Sequence, residues 1–195
     1  MAKKKPKKRK TSSRKRKDSE IKIDQILLKR RQVFLFDVVK DATIRNLIKE
    51  IVALDNLNND PIALYINSPG GSVDDGFALI DTINGIRSPV VTVIVGQACS
   101  MAGIISIAGD KRLMSKHSVW MSHDMAGGIR GDYTTKVIDR TEFLKREQKK
   151  LNDFIRKHTK LSEAEVQKAT HGELWLYPEE CLDKGIVDGI IGDEK

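Results

Sequence analysis

The run Val90-Val91-Thr92-Val93-Ile94-Val95 is six consecutive β-branched residues, and no other stretch constrains the fold as strongly. A segment this apolar, without polar alternation, predicts a strand buried on both faces. It leads through Gly96-Gln97-Ala98-Cys99-Ser100 into Met101 to Gly109, an apolar stretch of small residues that reads as a helix stopping at glycine. The same order recurs upstream. Pro61 to Asn67 reads as a strand, Ser68-Pro69-Gly70-Gly71-Ser72 as a turn, and Asp74 to Ile86 as a helix. Before these, Leu27 to Phe36 reads as a short turn feeding a strand. Asp41 to Leu54 follows with Ile44, Leu47, Ile48, Ile51 and Val52 at helical spacing and Asp41 as the expected cap. Repeated strand–helix units predict an α/β fold with a mostly parallel sheet covered on both faces.

Downstream, Leu113-Met114 and Ser118 to Ser122 read as a short strand pair ending at His123. Residues 132–159 form a long, charged stretch without Pro or Gly, with apolar residues at Val137, Ile138, Phe143, Leu144, Leu151, Phe154 and Ile155. It is too polar for a core helix and is expected to project or to lie at an interface. Ser162 with Glu165 three residues on marks a helix start, and Pro178 to Gly185 a short helix before a last strand.

Charge divides the chain in two. Residues 1–20 hold 11 of the 35 Lys/Arg and two of the 27 acids, which leaves 24 basic against 25 acidic side chains in residues 21–195. The first segment has nothing to anchor a core and is expected to be a disordered basic tail. The rest suits one domain. A nucleic-acid-binding domain is basic over its folded part, and this one is near neutral. Two cysteines, Cys99 and Cys181, fit neither metal-ligand spacing nor a disulfide framework and point to a cytoplasmic setting. No apolar run is long enough to span a bilayer.

A serine where a strand turns into a helix is commonly an N-cap. Its hydroxyl is also lifted out of the sheet beside the next amide, which is the pairing of nucleophile and oxyanion donor that acyl transfer needs. Ser100 and the Met101 N–H are such a pair. Gly71, in a glycine turn at a strand end, is a candidate second donor. The turn lacks the Gly-Lys-Ser/Thr of a phosphate loop. His123, with a strand behind it and a glycine loop ahead, is the candidate base, whereas His117, His158 and His171 look solvated. No second ligand stands at metal spacing from His123.

These runs together resemble the ClpP family, the caseinolytic peptidases. They are Leu27-Leu28-Lys29, Leu64-Tyr65-Ile66-Asn67-Ser68-Pro69-Gly70-Gly71-Ser72, Gly96-Gln97-Ala98-Cys99-Ser100-Met101-Ala102, Val119-Trp120-Met121-Ser122-His123 and Gly185-Ile186-Val187-Asp188, in family order over residues 21–191. The resemblance implies a ClpP/crotonase-like spiral of β-β-α units over residues 21–195, with a projecting handle helix at about 132–159. It implies Ser100 as nucleophile, His123 as general base and acid, and the Gly71 and Met101 amides as the oxyanion hole. The family's acid falls on Glu173, one methylene longer than the usual Asp. It further implies a serine endopeptidase in stacked, usually heptameric rings of identical subunits. A Clp-type AAA+ unfoldase would feed it unfolded polypeptides and use the ATP, so the chain itself would need no cofactor. Two departures, Met125 where a proline is usual and a shorter loop near Asp110-Lys111-Arg112, are expected beside the substrate groove. The family does not explain the tail, whose composition suits contact with nucleic acid or acidic proteins, a removable propeptide or an import address. Competing readings are a structural ring subunit without activity, a crotonase-like acyl-CoA enzyme, and a nucleic-acid-binding protein carried by the tail.

Overall fold

The computed structural model describes residues 23–125 and 133–192; the basic tail and the glycine loop after Met125 lie outside them. Residues 23–29 form helix α1. The elements that follow are β1 (Gln32–Leu35), α2 (Asp41–Leu57), β2 (Ile62–Ser68), α3 (Val73–Gly85), β3 (Val90–Cys99) and α4 (Met101–Ser106). The rest are β4 (Lys111–Ser115), β5 (Val119–His123), α5 (Thr134–His158), α6 (Glu163–Thr170), β6 (Glu173–Leu176), α7 (Pro178–Asp183) and β7 (Gly189–Ile191).

All seven strands belong to one sheet, and every pairing is parallel except that of β5 with β6. β3 is its axis. β2 lies along one edge of it. The other edge is shared, with β4 along Val91–Ile94 and β5 along Gln97–Cys99. The strands expected to pair with each other therefore both pair with β3, one after the other. The changeover falls at Gly96, whose φ of +92° few side chains tolerate, and whose N–H donates to Ser118 Oγ at 2.8 Å. The register of β2 on β3 slips at the same level, between Ile66 and Ser68. The bend carries the C-terminal end of β3 out of the first layer of strands and toward β5 and β6.

The core is built as the β-branched runs require. Val90, Ile94, Ile62, Leu64 and Ile66 of the central strands are buried, and so are Ile44, Leu47 and Ile51 along one face of α2. Three local expectations change. Leu27 to Lys29 belong to helix α1, where a turn was expected. Asp41 is the first helical residue of α2 and Lys40 the N-cap, so Asp41 serves the helix dipole and pairs with Arg45. α4 ends at Ser106, short of Gly109, because the Ser106 hydroxyl turns back to the Gly103 carbonyl (2.7 Å) and Thr92 Oγ1 caps the Ser106 carbonyl (2.7 Å).

Arg31 locks the turn between α1 and β1 onto the far end of α2. It is buried and sits at φ +57°. Its guanidinium donates to the carbonyls of Leu54 (2.9 Å), Asp60 (2.7 Å), Asn58 (3.3 Å) and Pro61 (3.3 Å), and to Ser88 Oγ (2.9 Å). Arg31→Met keeps the stem but strands several carbonyls. The expected loss is about 3 kcal/mol, read as a lower urea midpoint.

Candidate active site

Ser100 joins β3 to α4 at φ 54° and ψ −128°, a conformation that costs an L residue about 1–3 kcal/mol. The surroundings enforce it. The Ser100 N–H donates to the Met121 carbonyl of β5 (2.8 Å), and the Ser100 carbonyl accepts the Ile104 N–H (3.2 Å). Gly70 presses against the turn from β2. A Cβ on Gly70 would lie 2.5 Å from the Cys99 carbonyl oxygen, 2.7 Å from Ser100 Cβ and 2.9 Å from the Met101 nitrogen. The Ser100 hydroxyl caps no amide of α4, so the plain N-cap role does not apply.

Two amides face the same space without an internal acceptor. Met101 opens α4 and so has no carbonyl one turn back. At the glycine turn, the Gly70 carbonyl accepts from the Val39 N–H (2.8 Å) and the Ser72 N–H donates to the Val39 carbonyl (2.8 Å). That bridge leaves the intervening Gly71 N–H pointing away from Val39. Among the described residues no hydrogen bond uses the amide of Gly71 or of Met101.

Ser100, Met101, Gly71 and His123 line one cavity of about 550 Å³. His123 reaches it from the last position of β5 and is half-buried. Glu173 does not line the cavity. It opens β6 directly opposite His123 in the antiparallel ladder, so the two side chains stand on one face of the sheet. The Glu173 carboxylate is exposed and accepts the Trp175 indole N–H at 2.8 Å. Among the described residues no hydrogen bond joins Ser100 to His123 or His123 to Glu173; Ser100 and His123 share the cavity, and Glu173 is the ladder partner of His123.

Cys99, beside Ser100, is not a competing nucleophile. Burial pushes its thiol up, and the nearby Glu173 charge adds to the effect, so it stays protonated near neutral pH. The described residues hold no cluster of three metal-ligating side chains.

The long helix contributes more than its polarity suggests. The N-terminal half of α5 exposes Ile138 and Phe143, as expected of a projecting element, but Leu151 and Ile155 are buried and wall the cavity together with Gln148. Gln148 Oε1 accepts the Met125 N–H (2.9 Å), fixing the segment just after His123. Gln148 was not among the expected site residues. Its signal was the 148, 151, 152, 155 spacing, which places it on the helix face of two apolar residues. Met125 lines the cavity as expected, but Arg112 does not. Its guanidinium is engaged with Asp188 and with the carbonyls of His158 and Gly185, between β4 and β7. His117 and His171 are exposed, whereas His158 is half-buried, its ring 4.0 Å from that of Phe154.

Fold and site together define a class: an α/β protein on one mostly parallel sheet, with a serine on a strained strand–helix turn and two unpaired amides facing an imidazole across a cavity. A family model described as Clp protease matches residues 15–194. The ATP-dependent Clp protease proteolytic subunit 1 of Chlamydia abortus is 37% identical over 174 residues, 87% of this chain and 90% of that protein. The chain belongs to the Clp protease family.

Proposed function

We propose that the chain is a serine endopeptidase, the proteolytic subunit of a Clp-type assembly. The observation that carries this reading is the convergence of Ser100, His123 and the free Gly71 and Met101 amides on one cavity. In the proposed reaction Ser100 Oγ attacks the scissile carbonyl carbon while His123 takes its proton. The carbonyl oxygen, now anionic, accepts from the Gly71 and Met101 amides. His123 then protonates the leaving amine, and water attacks the Ser100 ester by the same route in reverse. Glu173 orients the imidazole and balances its charge. No step needs a cofactor.

The rest of the reading follows the family. Identical subunits form rings, usually heptameric and stacked through α5, that enclose the sites. A Clp-type AAA+ unfoldase spends ATP to thread in unfolded polypeptides, in the cytoplasm. Among the described residues no helix is long and apolar enough to cross a membrane. The basic tail adds a charged arm suited to nucleic acid or acidic proteins, and such contacts would weaken steeply with salt.

The second reading, a ring subunit without turnover, is favoured by one observation: the acid at position 173 is a glutamate hydrogen-bonded to Trp175 rather than to His123. A fluorophosphonate probe separates the two. On the leading reading the probe adds one equivalent of phosphonyl mass per chain at Ser100, and His123→Ala slows labelling at least 100-fold, a step of about 10²-fold being typical for loss of a general base. An unlabelled Ser100 in the assembled protein supports the inactive subunit.

A further inference from the structure

Among the described residues β6 pairs only with β5 and stands at the edge of the sheet. Edge strands usually protect themselves with charge. Here the outward row is Glu173 and Trp175, the tryptophan 48% exposed. Residues two apart on a strand share a face, and the Trp175 indole N–H donates to Glu173 Oε2 at 2.8 Å. Across the ladder His123 is opposite Glu173 and Met121 is opposite Trp175. Glu173 thus has an imidazole on one side and an indole on the other.

A glutamate at this position has a difficulty that a shorter acid lacks. Opposed Cβ atoms in an antiparallel pair are about 4.5–5.5 Å apart. A glutamate has one more side-chain torsion to fix than an aspartate, and on an exposed edge its three torsions turn freely in water, so its carboxylate samples many positions in that gap. A fixed donor on the same face narrows the range. The indole is rigid, lies on the same face, and engages one carboxylate oxygen. Oε1 is not engaged by any described residue in a hydrogen bond.

We propose that Trp175 is the positioning residue for Glu173: its indole holds Oε2 so that Oε1 is presented to the His123 ring N–H. The inference rests on the reading of Glu173 as the partner of His123. It assigns Trp175 a task that exists only because the acid is a glutamate, and this makes it testable by a double-mutant cycle.

The test measures hydrolysis of a short fluorogenic peptide amide by the assembled full-length protein, with kcat and KM for Trp175→Phe, Glu173→Asp, the double variant and Glu173→Gln. Trp175→Phe keeps the ring and removes the donor. It should lower kcat roughly five- to tenfold, the worth of one hydrogen bond, with KM unchanged. In the Glu173→Asp background the same change should cost less than about twofold, because the shorter acid needs no clamp. Unchanged kcat, a faster enzyme, or the same cost in both backgrounds would each overturn the proposal. Glu173→Gln with undiminished kcat removes the acid from the mechanism and takes the inference with it, whereas a slow Glu173→Gln beside a normal Trp175→Phe sinks the inference alone. If Trp175→Phe impairs assembly, benzothienylalanine at position 175 preserves the ring shape without the N–H, and the same outcomes decide.

Discussion

Ser100→Ala should lower kcat for peptide hydrolysis by on the order of 10⁴- to 10⁶-fold, about 5 to 8 kcal/mol of transition-state stabilisation, with KM changed less than about threefold. The size follows from the division of labour. In the proposed reaction the Ser100 hydroxyl oxygen is the only atom of the site that bonds to the substrate, so without it no acyl-enzyme would form. The Gly71 and Met101 amides remain and keep some power to polarise a carbonyl toward direct attack by water, which is why a residual rate is expected. Stability should not fall. Ser100 Oγ caps no amide of α4, and alanine retains the main-chain bonds to Met121 and Ile104 that hold the turn. The measurement is steady-state hydrolysis beside a thermal melt. A variant with wild-type turnover would remove Ser100 from the chemistry, and one that no longer assembles would show that the hydroxyl is structural.

Much of this arrangement was legible in the chain because its signals are local. Six β-branched residues announce β3, and Ser162 with Glu165 announces α6, whose capping box is fully formed. Pro178 and Gly185 bracket α7, with Gly185 at φ +63°. The unread parts depend on contacts between distant segments. Nothing within four residues of Glu173 says that β6 will pair antiparallel with β5 in an otherwise parallel sheet. The division of β3 between β4 and β5 at Gly96 needs both partner strands present. The composition of α5 describes its exposed half well and hides the half that closes the cavity, because Leu151 and Ile155 are two apolar residues among charges. Ser100, His123, Gly71 and Met101 stand out by residue type and line one cavity, whereas what holds them there lies in distant segments. Gly70 looked like a turn residue, and its packing against the Ser100 turn is visible only where β2 meets β3.

Gly70→Ala should therefore be the most damaging change outside the reacting groups. Two effects add. At φ +92° an alanine is strained by roughly 1–2 kcal/mol before any contact is considered. Its Cβ would also fall 2.5 Å from the Cys99 carbonyl oxygen and 2.7 Å from Ser100 Cβ. These are backbone and near-backbone atoms of the turn that holds the serine, so neither can swing aside as a flexible side chain would. The turn must retreat by several tenths of an ångström or more. Such a retreat displaces Ser100 Oγ and the Met101 amide together, away from the substrate carbonyl that both must meet in the proposed reaction. Misplacement on that scale costs on the order of 10²-fold, so kcat/KM should fall about 100-fold or more while the urea midpoint reports a loss of about 1–3 kcal/mol. Gly85→Ala is the control. Gly85 ends α3 with open space where its Cβ would go and a φ outside the left-handed region, so alanine there should leave turnover unchanged and stability equal or slightly higher. If Gly70→Ala cleaves as fast as the Gly85 control, the turn at Ser100 does not depend on the glycine beside it, and the geometry assigned to the nucleophile and its oxyanion donor is wrong.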